Sequence, residues 1–156
     1  MGIQVIAEEF PNPILAREGY WLPLVKKLMA DKNTILIGHS SGAVASMRYS
    51  EKNKIMGSVL VGACHTDLGL AEEDVSGYYS KPWDRKAIKQ NQKFIVQFAS
   101  IDDTFISVEE ARYIHEHLNT EYYEYTNEGH FGHGNAPKLE FPKIVEKIRQ
   151  KLIRKI

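Results

Sequence analysis

Apolar positions along the chain keep two rhythms, short unbroken runs and stripes at helical spacing, and they take turns. Ile3, Val5 and Ile6 form a short run closed by Phe10-Pro11-Asn12-Pro13, which predicts a strand over residues 3–7. Trp21, Leu24, Val25 and Leu28 then recur at i, i+3, i+4 and i+7, the stripe of an amphipathic helix, with Pro23 marking a kink or a start. After the turn Asp31-Lys32-Asn33, Thr34 to Gly38 is almost wholly apolar. A strand without alternation is the kind buried on both faces of a parallel sheet. Gly42 to Met47 reads as a helix of small residues, and Ser58 to Gly62 as a second buried strand. A polar excursion from His65 to Gln92 follows, with a short helix at its end. Phe94 to Phe98 makes a third buried strand. Ser107 and Glu110 have capping-box spacing ahead of a helix whose Ala111, Ile114 and Leu118 face inward. Thr120 to Tyr125, polar and rich in tyrosine, suits an edge strand. Phe141, Ile144, Val145, Ile148 and Leu152 mark a long C-terminal helix.

Strands alternating with helices predict an α/β fold: three layers, helix on sheet on helix, about five strands, mainly parallel, with right-handed crossovers. Residues 1–156 make one domain on this reading, because about 100–200 residues per domain is usual. Lys+Arg and Asp+Glu both number 20, so the zero net charge argues against a nucleic-acid binder. A single cysteine, Cys64, excludes an intrachain disulfide framework. No apolar run approaches the roughly 18 residues that a membrane span needs. The first ten residues lack the basic and apolar regions of a signal peptide. A cytoplasmic protein is the expectation, with no membrane partner.

Gly38-His39-Ser40-Ser41-Gly42 has the form G-x-S-x-G between a buried strand and a small-residue helix. That setting is a nucleophile elbow, where a sharp turn lifts a serine hydroxyl above the sheet. Serine needs a base to become nucleophilic, and the base needs an acid to orient it. Asp102 and Asp103 follow the third buried strand, and His130 follows the tyrosine-rich one. All three loops open at the C-terminal ends of parallel strands, where α/β sheets place their sites. Spacing alone leaves both aspartates open. The other histidines read more plainly. His39 packs near the elbow as a structural or pocket-lining residue. His115 and His117 point about 200° apart on a helix and cannot readily share a metal, so they read as solvated. His133 gives an H-x-x-H spacing with His130, but no third ligand lies nearby in sequence. Cys64 reads as a buried or loop thiol. Tyr78, Tyr79, Pro82 and Trp83 place aromatics in the excursion, either as a cap over the pocket or as cover for the sheet edge.

With these residues in place, the chain resembles the small serine-hydrolase family typified by retinoblastoma-binding protein 9. The resemblance rests on Pro11-Asn12-Pro13, Trp21-Leu22-Pro23, Ile37 to Ala43, Met47-Arg48-Tyr49, Asp67-Leu68-Gly69, Ser76-Gly77-Tyr78, Pro82-Trp83, Val96-Gln97-Phe98, Asp102-Asp103 and Gly129-His130-Phe131. It implies an α/β-hydrolase-like fold, Ser40 as nucleophile, Asp103 rather than Asp102 as acid, and His130 as base. It implies hydrolysis of a small ester, thioester or amide without metal or organic cofactor. The Ser41 N–H would serve as one oxyanion donor. The family's namesake carries L-x-C-x-E for a pocket-protein partner. Here Leu28-Met29-Ala30-Asp31-Lys32 lacks the cysteine and the glutamate, so that partner is not implied. Members also begin with a strand, a glycine-rich loop and a helix ahead of the segment matching Gly2 to Val5. The expectation is therefore an N-terminally incomplete domain without that first strand, whose loop supplies the second oxyanion donor. The alternative reading is a catalytically impaired, hydrolase-like interaction module.

Overall fold

The computed structural model describes residues 3–28, 30–132 and 140–153. Helix α1 (Glu18–Lys27) precedes strand β1 (Ile35–His39), helix α2 (Ser41–Lys52) and strand β2 (Gly57–Val61). Two short helices, α3 (Ala71–Asp74) and α4 (Arg85–Gln90), lie in the excursion before strand β3 (Ile95–Ser100). Helix α5 (Val108–Leu118), strand β4 (Glu121–Tyr125) and helix α6 (Pro142–Ile153) complete the described chain. The sheet has four strands in the order β1-β2-β3-β4, all parallel.

Period-two alternation sorts the side chains of β2 and β3 between two cores. Leu60 and Ile95 point to one face, where they meet Ala43 and Met47 of α2, Ile88 of α4, and Ile114 and Leu118 of α5. Val59, Val61, Val96 and Phe98 point to the other, where Phe141, Ile144 and Ile148 cover them. Helices on both faces give the three layers. Gln97 is fully buried yet bonded at both ends: its Nε2 donates to the Ala111 carbonyl at 2.8 Å, and its Oε1 accepts from Thr120 Oγ1 at 2.8 Å. That pair ties α5 and the start of β4 to β3.

Three expectations need correction. No strand forms over residues 3–7, so the described sheet has four strands rather than about five. Residues 3–9 are exposed and enter no strand pairing; without a neighbour, an apolar run does not become a strand. The chain is first anchored at Phe10, whose ring lies 5.0 Å from that of Trp21, and at Pro11, whose carbonyl accepts from Trp21 Nε1 at 2.8 Å. Second, β1 is not buried on both faces. It is a sheet edge in the described structure, and Ile37 is 56% exposed. Third, Ser107 caps α5, but Glu110 does not close a capping box. Its carboxylate instead accepts from His65 N at 2.7 Å and Thr66 Oγ1 at 2.6 Å, pinning the start of the excursion. Pro23 lies inside α1, which starts earlier at Glu18.

The rest of the excursion is held by a residue that reads as an ordinary helix position. Arg48 of α2 is 2% exposed. Its guanidinium donates to the carbonyls of Tyr78, Lys81 (2.7 Å) and Pro82 (3.2 Å), pairs with Glu51 at 2.6 Å, and lies 3.5 Å from the Trp83 ring. Five donors in a rigid fork suit a site where several carbonyls converge.

Candidate active site

Ser40 sits between the last residue of β1 and the first of α2, with φ 54° and ψ −122°. A residue other than glycine held there stores about 1–3 kcal/mol of strain, which the surrounding structure must offset. Two contacts impose it. Ser40 N donates to the Val61 carbonyl at 2.9 Å, while its own carbonyl accepts from Ala43 N at 2.9 Å to start the helix. The glycines flanking the serine differ in what they do. A Cβ on Gly38 would overlap the Gly42 carbonyl, whereas a Cβ on Gly42 would meet nothing within 4 Å. Close approach is required at Gly38 alone.

His130 arrives from beyond β4 and is 6% exposed. Its Nδ1 lies 2.7 Å from Asp103 Oδ2, and both side chains are almost fully covered. Burial alone would raise the Asp103 pKa. The hydrogen bonds from His130 and from the backbone N–H groups of Ile106 and Phe105 outweigh it and hold the carboxyl below its usual range. An ionised carboxylate only accepts, so the Nδ1 facing Asp103 carries a proton, and in the neutral ring Nε2 is then the accepting nitrogen. Gly62, one residue after the Val61 that bonds Ser40, lies under this pair. A Cβ there would stand 3.2 Å from His130 Cε1 and 3.8 Å from Asp103 Oδ2. The fold thus brings Ser40, Asp103 and His130 to one end of the sheet, around the C-terminal end of β2.

Asp102 is placed differently. Its Oδ1 accepts from Ser100 Oγ at 2.5 Å and Gly129 N at 2.9 Å, and Ser100 Oγ accepts from Glu128 N at 3.0 Å. Asp102 grips the main chain of the histidine loop, and Asp103 grips the ring. Ser41 is the first residue of α2, so its N–H has no intrahelical acceptor. Two further rings flank the His130 imidazole, Phe105 at 5.2 Å and His39 at 4.6 Å. Phe105 also borders an open cavity of about 500 Å³, lined by Leu68, His65, Ser107, Glu110 and Tyr113.

The remaining candidates fall outside this cluster. Cys64 is buried with Sγ 3.1 Å from Tyr79 Oη, and burial pushes its thiol up to about 12, so it stays an unreactive thiol. His115 and His117 are half-buried rather than solvated. His115 Nδ1 meets Thr120 Oγ1 at 3.1 Å and its ring stacks on Tyr122; His117 Nδ1 meets the Tyr113 carbonyl at 2.8 Å and its ring stacks on Tyr113. His133 lies outside the described residues. Among the described residues no group of three or more His, Cys, Asp or Glu could hold a metal ion, and no helix is long and apolar enough to cross a membrane.

Comparison with known proteins places this geometry in context. The serine hydrolase family matches over residues 8–146. The chain is 40% identical over 152 residues to the serine hydrolase RBBP9 of Rattus norvegicus, covering 97% of this chain and 79% of that one. Its fold is similar to that of the ydeN gene product from Bacillus subtilis, with TM-score 0.80, 21% identity, and 93% of this chain and 80% of that one covered. A lipase-esterase related protein from Clostridium acetobutylicum superposes with TM-score 0.62 at 13% identity, over 86% of this chain and 75% of that one.

Proposed function

The chain belongs to the serine hydrolase family, and from that membership we propose that it cleaves a small ester, thioester or amide through an acyl-enzyme. Ser40 Oγ attacks the substrate carbonyl while His130 Nε2 takes its proton. The tetrahedral intermediate collapses when His130 returns that proton to the leaving group. Water then enters by the same route and releases the acid. Asp103 holds the imidazole in the Nε2-basic tautomer and stabilises its cation. The Ser41 N–H donates one hydrogen bond to the developing oxyanion, a contact worth about 10²–10³ in turnover in comparable sites. The substrate is a small molecule, a reading supported by the open cavity beside Phe105, whose ring flanks His130. None of these steps draws on a metal or an organic cofactor.

The observation that carries this reading is the 2.7 Å bond between two buried side chains, His130 Nδ1 and Asp103 Oδ2, on loops 27 residues apart. A carboxylate spent on orienting an imidazole has little structural purpose unless the other ring nitrogen is put to use. The experiment is hydrolysis of a short-chain p-nitrophenyl ester by the purified chain and its Ser40→Ala variant. The variant should fall to the buffer rate with an unchanged melting transition. Turnover retained by Ser40→Ala would remove Ser40 from the mechanism, and a folded wild type without turnover would favour the interaction-module reading.

A further inference from the structure

The residue before the nucleophile reaches across to the base. His39 Nε2 lies 2.9 Å from the main-chain carbonyl of His130, and the two rings are 4.6 Å apart at 50°. We propose that His39 is a positioning residue for the hydrolase reaction, setting the separation of Ser40 and His130 by tying the nucleophile elbow to the backbone of the base. The inference rests on the triad reading above.

A carbonyl oxygen only accepts, so His39 must carry its proton on Nε2 to make this bond. The segment it holds needs holding. His130 sits among left-handed residues, with φ 51° at Gly129, 52° at Phe131 and 101° at Gly132. Such a loop has several neighbouring conformations within reach. Asp102 and Ser100 fasten it ahead of the histidine, at Gly129 N and Glu128 N. Asp103 fastens the ring, and rotation about the side-chain bonds could preserve that bond while the backbone moved. The bond from Phe131 N to the Glu128 carbonyl (2.9 Å) closes the turn around the base, and His39 adds a constraint on the carbonyl of the base itself. Because His39 is joined by a peptide bond to Ser40, whose N–H is fixed to Val61, the constraint is referred directly to the nucleophile. His39 is exposed as a residue, and it touches the base twice, through the His130 carbonyl and through the face of its ring.

The test uses the full chain and a p-nitrophenyl ester with four variants. His39→Leu removes the donor, His39→Gln keeps an N–H donor at similar reach, His39→Asn keeps one too short to arrive, and Ser40→Ala reports the triad reading. His39→Leu should lower kcat by about 10–100-fold, the scale on which a displacement near 1 Å acts. KM should stay within about twofold, because the bond positions the base and not the substrate. His39→Gln should recover most of the loss, and His39→Asn should not. Wild-type kcat in His39→Leu, a loss confined to KM, or equal activity in the Gln and Asn variants would overturn the proposal. Should the Leu variant fail to fold, the Gln and Asn pair decides. Turnover that survives Ser40→Ala defeats the triad reading instead, and a wild type without Ser40-dependent turnover defeats both.

Discussion

Val59 and Ile37 are register partners on neighbouring parallel strands, and their fates differ. Val59 in β2 is 0% exposed, under the α6 side of the molecule; Ile37 in β1 is 56% exposed. Both belong to apolar runs of the same kind. What separates them is position: β2 has a strand on either side, whereas β1 ends the described sheet. The same β1 nevertheless ends in a fully specified turn, where Gly38 is buried, Ser40 is held at a strained φ, and His39 is bonded to the His130 carbonyl. The site therefore takes its precision from the loops beyond the strand ends and from their bonds to β2, β3 and one another. The outer margin of β1 contributes little to it.

Breaking the well-bonded region should cost most. Asp103→Asn leaves an amide facing His130 Nδ1, which can favour the wrong tautomer, and kcat should drop by about 10⁴. Asp102→Asn loosens the histidine loop without touching the ring, so its loss should stay within about 10²-fold. Steady-state kinetics of the two variants side by side check the contrast, and a larger effect at Asp102 would reverse the assignment. Next comes the clamp on the excursion. Arg48→Met strands three carbonyls and the Glu51 carboxylate, and should destabilise the fold by about 3–5 kcal/mol, read as a shift of the denaturation midpoint. A shift below about 1 kcal/mol would mean that solvent replaces the lost donors.

The smallest effects sharpen the comparison of strands. Val59→Ala deletes two buried methyl groups and should cost about 2 kcal/mol. Ile37→Lys should change stability by no more than about 0.5 kcal/mol, as an exposed position allows. A charge on an open strand edge should also reduce concentration-dependent association, measured by light scattering. Equal destabilisation at the two positions would show that β1 is covered in solution.

The fold was legible where local pattern and tertiary setting agree. β2 and β3 were readable as buried strands because their runs are apolar throughout and their neighbours keep them so. The three site loops were readable because G-x-S-x-G and the acid-then-histidine order each sit at a strand end. Spacing leaves Asp102 and Asp103 open, since adjacent residues in a tight loop point apart; the family resemblance favours Asp103, and in the fold it is Asp103 that meets the imidazole. Glu110 had the spacing of a cap, yet two backbone N–H groups more than 40 positions away claimed it. Arg48 carries no local signal of its role, because its partners are carbonyls, which every residue carries; His39 is legible as a structural or pocket-lining residue beside the elbow, but not in its bond to the His130 carbonyl. Residues 3–7 had strand composition but no strand beside them.

The central claim is that the elbow, the acid and the base make a working nucleophile of Ser40. A fluorophosphonate probe tests it most directly, because it reacts with activated serines and leaves a mass that peptide mapping can locate. The account predicts one adduct per chain, on the peptide carrying Ser40, absent in Ser40→Ala and strongly slowed in Asp103→Asn. Folded protein without an adduct, or an adduct on Ser41 or Cys64 instead, would contradict it.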